Sequence, residues 1–146
     1  MSLIQALPSG PLDIVGDIHG ELQALQALLA HLGYDAQGNH PQQRTLVFVG
    51  DFCDRGPDSP GVLALARQLV ASGRALAVAG NHEINLLRED AKDGSGWFFD
   101  SRTESDSAKY APFAQPEGRA ERRAIAEFTA GLPYAFVRYV RAAAAR

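Results

Sequence analysis

The amino-acid sequence predicts an α/β fold in which helices flank a sheet of parallel strands. Three apolar runs of β-type residues lie at 12–15, 46–49 and 75–79, and helical patterns follow the first two runs. This alternation is typical of parallel βαβ units. Each run ends in glycine and polar residues, and open α/β sheets place their functional sites at the carboxyl ends of their strands. We therefore expect functional side chains at three strand ends.

Apolar residues at helical spacing predict the helices, and typical residues mark the helix ends. Gly33 follows the first helical pattern as a natural stop. Asp58 or Ser59 can cap the second helix, and Pro60 lies in its first turn. The predicted helices cover residues 22–32, 58–73, 84–88 and 119–130. A final apolar run over residues 132–140 follows the last helix.

Residues 93–118 are rich in Gly, Ser, Asp and Pro. We expect one long ordered loop here, because a flexible linker would not carry several aromatic side chains. The aromatic residues are Trp97, Phe98, Phe99, Tyr110 and Phe113. Packing of these aromatic rings onto the core is the favoured interpretation, and a substrate-facing wall formed by residues 97–99 is the alternative.

Length and charge limit the classes of function. A chain of 146 residues has the size of one domain, so residues 1–146 are expected to form a single domain. A net charge of −3 gives no electrostatic reason to expect a nucleic-acid partner. The chain has no apolar run of membrane-spanning length, so no membrane partner is expected. The single cysteine, Cys53, cannot form an internal disulfide, which favours a cytoplasmic location.

Polar residues at the three strand ends are suited to bind metal ions. Asp17 and His19 lie two residues apart on an extended segment, so both side chains can bind one metal ion. The carboxylate of Asp51 can bridge two cations, and Asn81 offers an amide oxygen to the second cation. The alternative for each residue is an ordinary polar position in a loop or turn. The occurrence of all four residues at strand ends favours the metal-site interpretation.

Three further residues are suited to phosphate chemistry. The guanidinium of Arg55 can bind two phosphate oxygens at once, although a surface ion pair is the alternative. His82 can protonate a leaving oxygen as a general acid, and Asp54 can hold and polarise it. The alternative for Asp54 is a turn residue. We expect Glu83 to bond to the backbone near the site and Cys53 to be buried.

The strings GDIHG at 16–20, GDFCDRG at 50–56 and GNHE at 80–83 resemble the three signature motifs of one family. This is the PPP family of metallophosphoesterases, which includes serine/threonine protein phosphatases and symmetrical dinucleoside tetraphosphate hydrolases. The resemblance covers residues 12–90 well and the remainder loosely. It implies a calcineurin-like β-sandwich flanked by helices, and a hydroxide that attacks phosphorus without a phosphoenzyme intermediate.

The resemblance also implies roles for individual residues. Two divalent metal ions are expected, with manganese favoured over iron or zinc. The first ion is assigned to Asp17, His19 and Asp51, and the second to Asp51 and Asn81. The remaining matches are His82 as the proton donor, Asp54 as its partner and Arg55 as the phosphate ligand.

One departure from the family pattern concerns the second metal ion. Family members complete this site with two histidines well downstream of the third motif, but the four histidines here are at positions 19, 31, 40 and 82. We therefore expect an incomplete second site, with tighter binding at the first. The chain resembles the N-terminal part of a longer enzyme, so strands of the second half are expected to be missing. Self-association through an uncovered apolar sheet face would follow.

Three functions are consistent with these residues. The first is metal-dependent hydrolysis of phosphate monoesters on a phosphoprotein or a small phosphorylated substrate. The alternative is hydrolysis of dinucleoside polyphosphates, because residues 56–59 also resemble that branch of the family. A hypothesis of another class is a catalytically impaired fragment that only binds metal, and the absent downstream histidines favour it.

Overall fold

The computed structural model describes residues 2–110 and 112–138. The strands are β1 (Ile4–Ala6), β2 (Leu12–Val15), β3 (Thr45–Phe48), β4 (Ala75–Ala77) and β5 (Ala135–Val137). The helices are α1 (Leu22–Leu32), α2 (Ser59–Ala71), α3 (Asn81–Leu87), α4 (Thr103–Tyr110) and α5 (Gly118–Ala130). A short 3-10 helix, Asp100–Arg102, precedes α4. This order confirms the predicted α/β class.

A parallel sheet in the order β2-β3-β4 forms the centre of the fold. Its middle strand is apolar from Leu46 to Phe48, because a central strand of a parallel sheet is covered on both faces. Leu46, Val47 and Phe48 are accordingly 1%, 3% and 0% exposed. Val15 pairs with Phe48, and Phe48 pairs with Ala77, so the three strands end at one edge. The three predicted strands are confirmed, with β4 two residues shorter than its apolar run.

A second, two-stranded parallel sheet pairs β1 with β5. Strand β1 was not predicted from the sequence, and β5 lies within the predicted apolar run. Residues 139 and 140 of that run are outside the described part of the chain. The N–H of Ala79 donates to the carbonyl of Pro133 at 2.9 Å, and the N–H of Tyr134 donates to that of Leu3 at 2.9 Å. Backbone hydrogen bonds therefore connect the two sheets through the segment before β5.

Two helix ends follow the local signals that predicted them. Gly33 ends α1 with a positive φ of 96°, and the side chain of Asp58 caps α2 by accepting a hydrogen bond from Gly61 N–H at 2.8 Å. The third helix begins at Asn81 rather than at residue 84. This difference matters for the site, because it places His82 in the first turn of a helix.

The predicted loop at 93–118 is partly wrong, because the 3-10 helix and α4 lie within it. The inner contact of α4 is polar: buried Asp106 accepts hydrogen bonds from Gly96 N–H at 2.7 Å and from Arg102 at 3.1 Å. Hydrophobic periodicity could not reveal a helix that packs through a carboxylate. Packing of Trp97 onto the core is confirmed, since its side chain is 1% exposed.

Some apolar side chains of the central sheet contact solvent. Ile14 on β2 is 65% exposed, and Val49, directly after β3, is 46% exposed. Such side chains are expected of an incompletely covered sheet, while self-association stays a prediction. Among the described residues, the helices are all too short or too polar to cross a lipid bilayer.

Two glycines with positive φ allow a controlled test of backbone proximity. Gly50 has φ 91°, and a Cβ there would lie 2.2 Å from the backbone nitrogen of Gly80; Gly73 has φ 71° and open space around it. We expect Gly73→Ala to cost about 1 kcal/mol for its left-handed backbone, and Gly50→Ala to cost clearly more. Urea denaturation of both variants measures the difference. Equal losses would contradict the close approach of the two segments.

Candidate metal and phosphate site

Backbone hydrogen bonds join the segments that follow β2 and β3. The N–H groups of Ile18 and His19 both donate to the carbonyl of Asp51, each at 2.9 Å. The N–H of Gly20 donates to the carbonyl of Phe52 at 2.8 Å. The first two motifs are therefore held side by side by their main chains.

The carboxylate of Glu83 joins the second motif to the third. It accepts hydrogen bonds from the N–H groups of Asp51 at 2.8 Å, Phe52 at 2.9 Å and Gly80 at 2.9 Å. The thiol of Cys53 also donates to it at 3.4 Å. Glu83 is 0% exposed, so these bonds replace water completely. The predicted backbone-bonding role of Glu83 is confirmed.

His19, Asp51 and His82 form a cluster in which one ligand atom from each residue lies within 4.8 Å of the others. The Nδ1 atom of His19 lies 3.0 Å from the carbonyl oxygen of Cys53. A carbonyl only accepts, so Nδ1 carries the proton and Nε2 keeps its lone pair for a metal. The imidazole of His19 and the carboxylate of Asp51 suit manganese, iron or zinc. The residues present therefore fit a divalent metal ion.

Asp17 and Asn81 lie next to this cluster in sequence, and both are exposed. Asp17 precedes Ile18, which is bonded to the backbone of Asp51, but its carboxylate is not part of the cluster. Asn81 is the first residue of α3 and precedes His82, whose N–H donates to Asp51 Oδ1 at 3.1 Å. Metal binding by Asp17 and Asn81 stays a prediction.

His82 is held by a buried carboxylate. Its Nδ1 lies 2.7 Å from Asp54 Oδ2, and the two residues are 6% and 3% exposed. The carboxylate accepts the Nδ1 proton, so Nε2 is the atom left for a metal or a substrate. The hydrogen bond to Asp54 also raises the pKa of His82 above its usual 6.5, against the opposing effect of burial. A protonated His82 is therefore favoured, as a general acid requires.

Arg55 is exposed at the edge of the cluster, and its Nη1 atom lies 3.5 Å from His19 Nε2. Its backbone N–H donates to the carbonyl of Gly94 at 2.9 Å. A guanidinium in this position can bind two oxygens of a phosphate next to a metal ion. The structure thus brings Arg55 to the cluster and attaches its backbone to the turn before the 3-10 helix.

Five predicted site residues have a positive φ, which is uncommon for residues other than glycine. The values are 53° for Asp17, 46° for His19, 53° for Asp51, 73° for Asp54 and 71° for Arg55. Each left-handed residue costs on the order of 1–2 kcal/mol, and such residues cluster at functional sites. The hydrogen bonds of Glu83 and of the joined motifs offset this cost.

Sequence reasoning missed one contact of the site. The indole N–H of Trp97 donates to Asp54 Oδ1 at 2.6 Å. The sequence could indicate only that a buried tryptophan needs an acceptor for its indole N–H, and not which residue supplies it.

Cys53 is fully buried as predicted, and burial raises the pKa of its thiol well above the usual range. A neutral buried thiol is a poor nucleophile, which favours a structural role for Cys53.

Comparisons with known proteins agree with this geometry. Residues 10–135 match the family described as calcineurin-like phosphoesterase. Two curated relatives, both named asymmetrical bis(5'-nucleosyl)-tetraphosphatase PrpE, come from Oceanobacillus iheyensis and Halalkalibacterium halodurans. They are 46% and 43% identical over 80 and 79 residues, covering 53% and 52% of this chain. The chain spans 32% of the length of each relative.

A solved structure of a candidate diadenosine tetraphosphatase is also similar. It is 30% identical, with a TM-score of 0.55 over 91% of this chain and 48% of that chain. The predicted resemblance and fold class are confirmed by these matches, and the chain spans less than half of the structure it resembles.

Replacing Glu83 with alanine tests whether its carboxylate holds the motifs together. Glu83→Ala leaves three backbone N–H groups without their acceptor, and each such group costs about 1–3 kcal/mol when buried. We expect a loss of at least about 3 kcal/mol in the free energy of unfolding, measured by urea denaturation. The matched control is Glu104→Ala on the exposed side of α4, expected within about 0.5 kcal/mol of the parent. Similar losses in both variants would contradict the assignment.

Titration of His82 in the metal-free protein tests its pairing with Asp54. Because the pKa is raised in the folded state, the pair stabilises the protein below about pH 6.5, and this contribution disappears as pH rises through the folded pKa. We expect NMR to show a His82 pKa above 6.5 that falls in Asp54→Asn. The control Asp100→Asn, at a highly exposed carboxylate, should leave it unchanged. An unchanged value in Asp54→Asn would contradict the pairing.

Proposed function

Because this chain belongs to the calcineurin-like phosphoesterase family, we propose that it carries metal-binding and phosphate-binding residues of a metal-dependent phosphoesterase. One observation carries the proposal: His19, Asp51 and His82 converge within 4.8 Å, and Asp54 holds the inner nitrogen of His82. An imidazole and a carboxylate at the ends of parallel strands suit a divalent ion, and the second imidazole, that of His82, suits a proton donor beside it.

We assign the metal ions to His19 and Asp51, together with the exposed Asp17 and Asn81. Such ions, when bound, supply an activated water and positive charge beside the phosphate. Manganese is the proposed metal, and iron or zinc also suits this mixture of ligands. Asp51 and Asn81 alone are assigned to the second ion, so we expect weaker binding there.

The protein's own residues bind the substrate and move the proton. Arg55 binds two oxygens of the phosphate, which orients the phosphorus toward the cluster. His82 donates the proton on Nε2 to the leaving oxygen, and Asp54 keeps the ring oriented through Nδ1. Asp54 also favours the protonated ring, which is the form that a general acid needs.

For the substrate, we propose a dinucleoside polyphosphate. The names of the curated relatives support this class over the phosphate monoester that sequence reasoning placed first. Both names specify an asymmetrical hydrolase, whereas the sequence resemblance pointed to symmetrical hydrolases. A phosphate monoester stays the second candidate, because Arg55 and His82 would act on either substrate in the same way. A cytoplasmic location also stays a prediction.

Hydrolysis by the purified chain with added manganese tests this function. We expect diadenosine tetraphosphate to be cleaved to nucleotides, measured by chromatography, and p-nitrophenyl phosphate to be hydrolysed more slowly. Asp51→Asn should lose manganese binding in calorimetry and at least about 100-fold in turnover, because it removes a ligand from the cluster. Asp100→Asn is the control and should retain both.

The outcomes separate the three hypotheses. Faster turnover of the monoester would favour the phosphomonoesterase reading over the dinucleoside polyphosphate hydrolase. Manganese binding without turnover of either substrate would support the metal-binding fragment. If Asp51→Asn bound manganese as tightly as the parent, the cluster would not be the metal site.

A further inference from the structure

The Asp54 carboxylate has two side-chain partners, one on each oxygen. Oδ2 lies 2.7 Å from His82 Nδ1, and Oδ1 accepts the indole N–H of Trp97 at 2.6 Å. A carboxylate bonded through both oxygens cannot rotate without breaking one of these bonds. The orientation of the carboxylate, and with it that of the imidazole, therefore depends on Trp97.

The hydrogen-bonded side chains of Trp97, Asp54 and His82 are shielded from solvent. Trp97 is 1% exposed, Asp54 is 3% exposed and His82 is 6% exposed. Water has little access to replace a lost hydrogen bond here, so each bond contributes strongly to geometry. The backbone of Asp54 is also held, because its N–H donates to the buried Ser59 hydroxyl at 3.0 Å.

The indole is itself held in place by the turn that contains it. Asp106 on α4 accepts a hydrogen bond from Gly96 N–H at 2.7 Å, next to Trp97. The carbonyl of Gly94 accepts the Arg55 N–H at 2.9 Å, and a Cβ on Gly94 would lie 2.6 Å from Arg55 Cγ. The turn is thus attached to α4 on one side and to the second motif on the other.

We propose that Trp97 is a positioning residue for His82, acting through the Asp54 carboxylate. Its N–H sets the carboxylate so that the ring of His82 presents Nε2 toward the cluster. The proposed catalytic effect rests on the function proposed above, whereas the structural effect does not. Residues 94–110 therefore supply part of the support of the site, although they lie outside the three sequence motifs.

Removal of the N–H alone is the appropriate perturbation. Trp97→Phe keeps an aromatic ring but leaves Asp54 Oδ1 without a donor. A replacement closer in shape to tryptophan can be introduced at this position alone, because the chain contains one tryptophan. Biosynthetic replacement of tryptophan by benzothienylalanine changes Trp97 only, and it substitutes sulfur for the N–H at nearly constant shape.

The first measurement is the NMR signal of the His82 Nδ1 proton in the metal-free chain. We expect a hydrogen-bonded, slowly exchanging proton in the parent protein. In both modified proteins it should exchange faster and shift, because the carboxylate is free to rotate. The control Phe98→Leu removes a neighbouring ring that has no bond to Asp54, and it should keep the parent signal. An unchanged signal in both modified proteins would overturn the proposal.

The second measurement is turnover of phenyl phosphate and p-nitrophenyl phosphate with manganese. In both modified proteins we expect kcat on phenyl phosphate to fall about 10-fold, because its phenolate leaving group depends more on protonation. The fall on p-nitrophenyl phosphate should be smaller, and KM should be unchanged for both substrates. Equal losses on both substrates would overturn the positioning role. If the parent protein hydrolyses neither of these esters nor diadenosine tetraphosphate, the proposed function fails, and the NMR result alone decides the role of Trp97.

Discussion

The buried carboxylate of Glu83 is the contact on which the arrangement of the site depends. It binds N–H groups from the second motif and from the residue before α3, with no exposure to water. A buried charge is costly unless hydrogen bonds satisfy it, and three backbone donors do so here. Because Glu83 lies in the first turn of α3, the positive end of the helix dipole also stabilises its carboxylate. Asp51 and His82 are near each other because this carboxylate binds the backbones of Asp51 and of Gly80, which precedes α3.

Close approach of these backbones requires glycine at defined positions. A Cβ on Gly56 would lie 2.0 Å from the carbonyl oxygen of His19, and one on Gly80 would lie 2.2 Å from Asp51 Oδ1. Neither glycine is needed for an unusual φ; each is needed because another segment occupies the space of its side chain. Gly56 and Gly80 thus allow other segments to approach closely, while the left-handed residues around them orient the functional side chains.

The segment after α3 is connected to the site by a chain of hydrogen bonds. Asp106 binds the backbone of Gly96, Trp97 binds Asp54, and Asp54 binds His82. A hydrophobic pattern cannot reveal contacts of this kind, which is why this segment was expected to be a loop. The composition of this segment correctly predicted an ordered conformation, because aromatic side chains in a polar segment need a core to pack against.

The sequence by itself determined the three central strands, most of the helices and the chemistry available at the strand ends. Strand-helix order, the bounds of α1 and the polar residues at strand ends all follow from local periodicity and from turn residues. The tertiary structure alone decided which side chains meet: His82 joins His19 and Asp51 in the cluster, Asp17 does not, and Trp97 contacts Asp54. It also decided that β1 pairs with β5 from the other end of the chain. The physical reason is that periodicity acts over a few residues, whereas these contacts join segments whose approach depends on packing and buried hydrogen bonds.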